Sequence, residues 1–441
     1  MYASLDPTES TEVSNRSVMA ERFYHFIISG LLLLPVYLGA RHGLMNLEQN
    51  PVLESALAGA FLIHLWTRPG RDEWIPVLGI GALASAAYVW LHHGFGPYLG
   101  AAPAVCAAFL GAGSLAVLAT RAFAEQGPER KNLRSTFFAA AAFPYFSFIL
   151  AIFLNLTAAL HPKVWDLWLY VFDASLNFRA GSLVGQLFEI CAPLRVAGIF
   201  IYQEMPLAIC LLVALERATP ERFNVSVLRL FLAVGFAGAL LYNLFPAAGP
   251  LYVFGKDFPN HLPDASAMMI QPLLVPRAPR NAMPSVHLAC ALLIWWNTVG
   301  LARGLRVAAA VFLALTALAT LGFGEHYLID LIVAVPFALA VQASCMASVP
   351  RQSAARRASF VGGAALTLAW IAVLRFSLLP NSAWPAWAAI LVTLALSIWW
   401  KYKLSRQAGP LTNAHSGVQS LDFLNDFLVL GRRRQNPPEM L

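Results

Sequence analysis

Residues 284–347 read PSVHLACALLIWWNTVGLARGLRVAAAVFLALTALATLGFGEHYLIDLIVAVPFALAVQASCMA. Three apolar blocks fill this stretch, near 285–302, 305–324 and 326–347. Each has about the length that crosses a bilayer's hydrocarbon core as a helix. Their apolar residues are continuous, without the in–out alternation of a membrane strand, so an open or closed sheet is excluded. Working outward, nine further blocks follow the same pattern, near 23–40, 52–66, 74–93, 97–119, 136–160, 194–215, 225–245, 358–379 and 383–400. The expectation is an all-α, polytopic transmembrane helical bundle of about twelve spanning helices. Composition agrees: of 441 residues, 59% are hydrophobic and 12% charged, whereas soluble domains carry about 25% charged residues. A soluble enzyme and a secreted disulfide scaffold are therefore excluded, and Cys106, Cys191, Cys210, Cys290 and Cys345 lie in or beside apolar stretches without CxxC spacing.

The net charge of +7 does not point to nucleic acid, because the cations sit in short loops between apolar blocks. Of 30 Lys and Arg residues, 22 fall on the side that holds both ends of the chain and 8 on the other. By the positive-inside rule both termini are expected in the cytoplasm of a multi-pass membrane protein, most simply in a bacterial inner membrane. The chain divides into a tail (1–22), accessory spanning helices (23–135), a six-helix core (136–347), two further spanning helices (348–400) and a second cytoplasmic tail (401–441). Three of the eight extracytoplasmic cations, Lys256, Arg277 and Arg280, share one Pro- and Gly-rich loop, residues 247–283. A second irregular stretch on that side contains WDLWLYVFDASLNF, residues 165–178. Its Trp and Tyr content reads as an interfacial anchor, or as a wall of a substrate site.

Several polar residues stand where a membrane helix would not carry them without use. Ser285 and His287 open one spanning helix; His326 and Asp330 open another at the same extracytoplasmic depth. Four residues apart, His326 and Asp330 share a helix face, and His326 is the partner within reach of the carboxylate. A carboxylate on one ring nitrogen fixes the tautomer and makes the other nitrogen a better nucleophile. A second histidine, protonated, can donate to a leaving oxygen. Arg280 is placed to hold phosphate oxygens in a fork, with Arg277, Lys256 and the helix-opening Ser285 as further anion ligands. This chemistry is phosphoryl transfer with no metal and no cofactor expected.

Pro284-Ser285-Val286-His287 and His326 to Asp330 resemble the P-S-x-H and H-x-x-x-D signatures of the type-2 phosphatidic acid phosphatase superfamily. Tyr242 to Pro250, YNLFPAAGP, looks like the Y-x-x-F-P…P segment of its inositol phosphorylceramide synthase branch, which confers aureobasidin resistance. The resemblance covers roughly residues 136–347 and implies a lipid-phosphatase-like catalytic core. It implies that His326 attacks phosphorus, Asp330 orients it and His287 protonates the leaving group. It further implies transfer of a phosphoryl or phospho-headgroup from a lipid donor to water or to an alcohol such as inositol, at an extracytoplasmic site. Two departures stand out: no Lys precedes an Arg-Pro at the K-x6-R-P spacing, and the Arg expected six residues before the second signature's His is Thr320.

Glu204, with Tyr202 in the same apolar block and Tyr252 in the long loop, completes the candidate substrate-binding set. Glu325 precedes His326 and reads as a loop acid. His92 and His93 lack the further ligands a metal site needs. The competing function class is a non-enzymatic transporter or lipid flippase, with the buried His, Asp and Glu as a proton relay. The expected partners are a lipid phosphate or phospholipid and the surrounding membrane lipids.

Overall fold

The structure, a computed structural model, describes residues 51–95, 101–126, 129–276, 278–379 and 382–408, together with Tyr37 and Arg41. The expected first span apart from Tyr37, the expected N-terminal tail, the C-terminal tail beyond Ala408, and Arg277 lie outside the described residues. The described chain is helical almost throughout. In order come α1 (Pro51–Trp66), α2 (Arg71–His92), α3 (Ala101–Ala124) and α4 (Glu129–Leu160). The middle of the chain holds α5 (Asp166–Ser175), α6 (Ala180–Ile190), α7 (Ala192–Gln203), α8 (Met205–Ala218), α9 (Val227–Leu244) and the short α10 (Pro250–Phe254). Then follow α11 (Val286–Asn297), α12 (Arg303–Gly322), α13 (Leu328–Cys345), α14 (Ala354–Arg375) and α15 (Ala383–Gln407).

Eight of these helices are long and apolar enough to cross a membrane, or nine if the bent pair α6–α7 forms one span. The chain is thus a helical integral membrane protein. The expectation of about twelve spans resolves differently in detail. α1 and α11, with 16 and 12 residues, are short apolar helices. The block expected at 194–215 is divided into α7 and α8 at Glu204, and α6 meets α7 at 117°. Pro193 and Pro206 sit in the first turns of α7 and α8, where a missing N–H costs no helix bond. α4 begins at Glu129, seven residues before the expected start of the core, and α15 runs on to Gln407.

α1 packs on α3, α4 and α8, and α2 on α3, which joins the accessory helices to the rest. α11 packs on α12 and on α13, and α14 and α15 cover α13. Deep in the bundle the side chains of Asn297 on α11 and Gln342 on α13 exchange two hydrogen bonds, at 2.9 and 3.2 Å. Two amides that satisfy each other in an apolar setting fix the register of the helices that carry the two histidines. At the opposite end the starts of α11 and α13 are tied directly, Ser285 N donating to Asp330 O at 3.2 Å.

The long loop 245–285 is ordered by backbone contacts rather than by a sheet. Its one ladder pairs Lys163–Val164 with Leu273–Leu274, antiparallel. Leu251 N donates to Gly324 O, and Ala282 N to Ala247 O. Gly249 adopts φ +102°, and a Cβ there would lie 2.4 Å from the Glu325 carbonyl oxygen. Only glycine permits both that conformation and that approach. The loop is thereby laid against residues 324–326.

Candidate active site

His326 precedes α13 and is 1% exposed. Its Nδ1 bonds the Ala282 carbonyl at 2.8 Å, and its buried Nε2 has no partner among the described residues. A carbonyl only accepts, so Nδ1 carries the proton and Nε2 presents its lone pair. The carbonyl therefore sets the tautomer that had been expected of Asp330. The Asp330 carboxylate lies 3.6 Å from Nδ1, within ion-pair range but beyond a hydrogen bond. The i,i+4 argument assumes that both residues are helical, and α13 starts only at Leu328. Asp330 instead turns back as the third residue of the helix and accepts from Tyr327 N at 2.7 Å.

His287, in the first turn of α11, is half-buried and stacks on Tyr202 of α7, with centroids 4.1 Å apart and planes 15° apart. The His287 and His326 rings lie 6.4 Å apart, centre to centre. Two signatures separated by 39 residues in the chain thus meet at one place, with Tyr202 beside them. Tyr252 donates to Glu325 at 3.3 Å, and burial raises the Glu325 carboxyl above its ordinary range.

The other named residues fall elsewhere. Ser285 is fully buried and caps α11, its Oγ accepting from Leu288 N at 3.3 Å. Arg280 is 1% exposed and gives its guanidinium to backbone carbonyls: His161 at 2.9 Å, Pro162 at 3.2 Å, Val275 at 2.7 Å, and Ala278. It binds the loop to the end of α4 and the strand pair. Lys256 is exposed in a turn of the loop. Glu204 sits at the α7–α8 break, hydrogen-bonded to Ser55 of α1, whose Oγ accepts from Leu207 N at 3.2 Å. Its contact is with the accessory helices. Among the described residues no group of three or more His, Cys, Asp or Glu could hold a metal ion.

Two carboxylates of the WDLWLYVFD stretch were not singled out from sequence. Asp166 and Asp173, seven apart on α5, share one face and contact the segment that follows His326. Asp166 is fully buried and accepts from Gly249 N at 2.7 Å, Ala248 N at 3.0 Å and Tyr327 Oη at 3.2 Å. Burial pushes its carboxyl up to about 6, against these bonds and the Arg280 charge. Asp173 caps α13 from outside, accepting from Leu328 N at 2.5 Å and Ile329 N at 3.1 Å. Burial pushes it up to about 8; its two backbone bonds oppose that and the nearby Asp330 adds to it. Of the two readings of the WDLWLYVFD stretch, the structure bears on the second: Tyr170, Asp173 and Ala174 line a pocket beside His326. A pair of Asp residues at helical spacing between Trp residues was the available signal.

The raised Asp173 carboxyl has a measurable consequence. Between about pH 4 and 8 the folded chain keeps a proton that the unfolded chain has released, so this group's contribution to stability falls as pH rises across that window. Asp173→Asn keeps an oxygen acceptor for the α13 amides and cannot ionise. Melting temperatures of the protein in nanodiscs should decline from pH 5 to 8 less steeply for Asp173→Asn than for wild type. Parallel curves would refute the assignment.

This small, half-open pocket of about 30 Å³ beside His326 is lined also by Tyr170, Asp173, Arg179, Gly181, Ser182 and Phe258. Its walls come from α5, the start of α6 and the long loop.

Comparison with known families places residues 167–344 in a match to the PAP2 superfamily. That segment contains α6 to α12, most of α5 and α13, and both histidines. No curated protein and no solved structure matched the chain.

Proposed function

We propose, taking the PAP2-superfamily match as the premise, that the protein is a membrane lipid phosphatase/phosphotransferase acting through a phosphohistidine. The observation that carries this is the buried, unpartnered Nε2 of His326, its tautomer set by the Ala282 carbonyl, with the His287 ring alongside. Nε2 attacks phosphorus; the P–N bond forms as the P–O bond to the leaving group breaks. His287 gives its proton to the departing oxygen and, in the second half-reaction, takes one from water or from an acceptor alcohol. That alcohol then displaces His326 from phosphorus. With water the outcome is a phosphatase; with inositol or a similar polyol, or a lipid alcohol, it is a transferase.

The excess of Lys and Arg on the opposite membrane side supports an extracytoplasmic site. The apolar walls around the pocket suit a lipid donor, and a covering loop that limits water favours transfer over hydrolysis. The test is phosphate release from phosphatidic acid, a polyprenyl phosphate, and a phosphoinositide with ceramide, by full-length protein in nanodiscs with EDTA. Free phosphate, or a new phosphorylated lipid, that depends on His326 supports the reading. Equal silence of wild type and His326→Ala on every substrate overturns it.

A further inference from the structure

The two departures from the superfamily signatures leave open which groups hold phosphate, and Arg280 is engaged with carbonyls. The pocket beside His326 supplies another set. Arg179 is the residue before α6, and its side chain is exposed with no hydrogen bond or ion pair among the described residues. Asp264, an acid that feels the Arg179 charge, is turned onto Ser266, accepting from its N at 3.0 Å and its Oγ at 2.9 Å. α6 has 11 residues and no side-chain cap, and the amides of Gly181 and Ser182 find no acceptor among the described residues. Uncapped amides at a helix start, with the positive end of the helix dipole, form an anion site when a second feature faces them. Here that feature is His326, 1% exposed and with Nε2 unpartnered, which lines the same pocket.

We propose that Arg179 and the Gly181 and Ser182 amides form the phosphate subsite of this chain, holding the non-bridging oxygens of the group presented to His326. The guanidinium grips two oxygens as a fork and the amides take a third. This helix start, which stands outside both signatures, lines one pocket with the nucleophile. Asp173 also lines the pocket, and as its carboxyl is pushed up to about 8 it is uncharged at neutral pH and does not repel the anion. The subsite rests on the reading of His326 as nucleophile only for turnover; for binding it stands by itself. Its ligand chemistry, a phosphate oxyanion, is shared by a lipid headgroup and by inorganic phosphate.

Full-length protein in nanodiscs, with wild type, Arg179→Gln and Arg179→Lys, distinguishes these. Binding of inorganic phosphate is read by 31P line broadening, and turnover of the lipid phosphates by kcat and KM, with orthovanadate as inhibitor. Arg179→Gln should weaken phosphate and vanadate binding and lower kcat/KM by about 10- to 100-fold, the worth of a lost charge-assisted fork. Arg179→Lys should recover only part. Unchanged phosphate binding, vanadate inhibition and KM in a folded Arg179→Gln protein would overturn the subsite, whatever the turnover. Arg179-dependent phosphate binding without His326-dependent turnover would keep the subsite and refute the proposed function. Phosphate binding alone, without competition against a lipid phosphate that is turned over, would identify a free-anion site and overturn the headgroup role.

Discussion

Replacing His326 by alanine should lower lipid-phosphate turnover by about 10⁴-fold or more, the usual order when a covalent nucleophile is removed. The variant should still fold, since His326 makes one side-chain bond, to Ala282, and leaves Nε2 unpaired. His287→Gln removes the proposed proton donor and keeps the proposed nucleophile, so a loss of about 10²- to 10⁴-fold is expected. Asp330→Asn should lose least. Its remaining oxygen still accepts from Tyr327 N, and the tautomer of His326 is held by a backbone carbonyl that the substitution does not touch. Acid quench and alkaline quench separate the steps, because phosphohistidine survives alkali and is lost in acid. Wild type should yield an alkali-stable labelled protein, and His326→Ala none. An Asp330→Asn loss equal to that of His326→Ala would mean that the carboxylate, and not Ala282, controls the ring during turnover.

The parts of this architecture that were legible in the sequence are those written in local runs. Apolar blocks of bilayer length give α2, α3, α9 and α12 to α14 within a few residues, and α4 and α15 except for one polar end each, because a membrane helix must satisfy its own backbone wherever it is packed. His287 and His326 were legible because each sits at a helix start beside its signature residues. The break at Glu204 and the bend between α6 and α7 were not, since hydropathy summed along a block is blind to direction. Asp166 and Asp173 were missed because their partners are more than 80 and 150 residues away, at Ala248 and Leu328, and only the folded loop brings those amides to α5. Arg280 shows the reverse problem. Its position seven residues before His287 is equally compatible with gripping phosphate and with gripping carbonyls, and charge alone does not distinguish the two.

Asp166→Ala should be the most destabilising substitution near the site, and the reason is local. The carboxylate is fully buried and accepts from three donors, two of them backbone amides in the Gly249 turn and one the Tyr327 hydroxyl. Alanine leaves all three without a partner, which costs about 3 kcal/mol or more at roughly 1 to 3 kcal/mol for each unsatisfied buried group. Water can recover part of this only if the space left behind admits it. The damage also reaches the chemistry, because Gly249 lies against the Glu325 carbonyl and Tyr327 follows His326. Thermal unfolding in nanodiscs should show a clear drop for Asp166→Ala and a smaller one for Asp166→Asn, which keeps one accepting oxygen. In the folded fraction, kcat should fall for Asp166→Ala while phosphate binding at Arg179 is retained, since that cation belongs to a different helix. A variant as stable and as active as wild type would show that the Gly249 turn and Tyr327 hold the loop against His326 without Asp166.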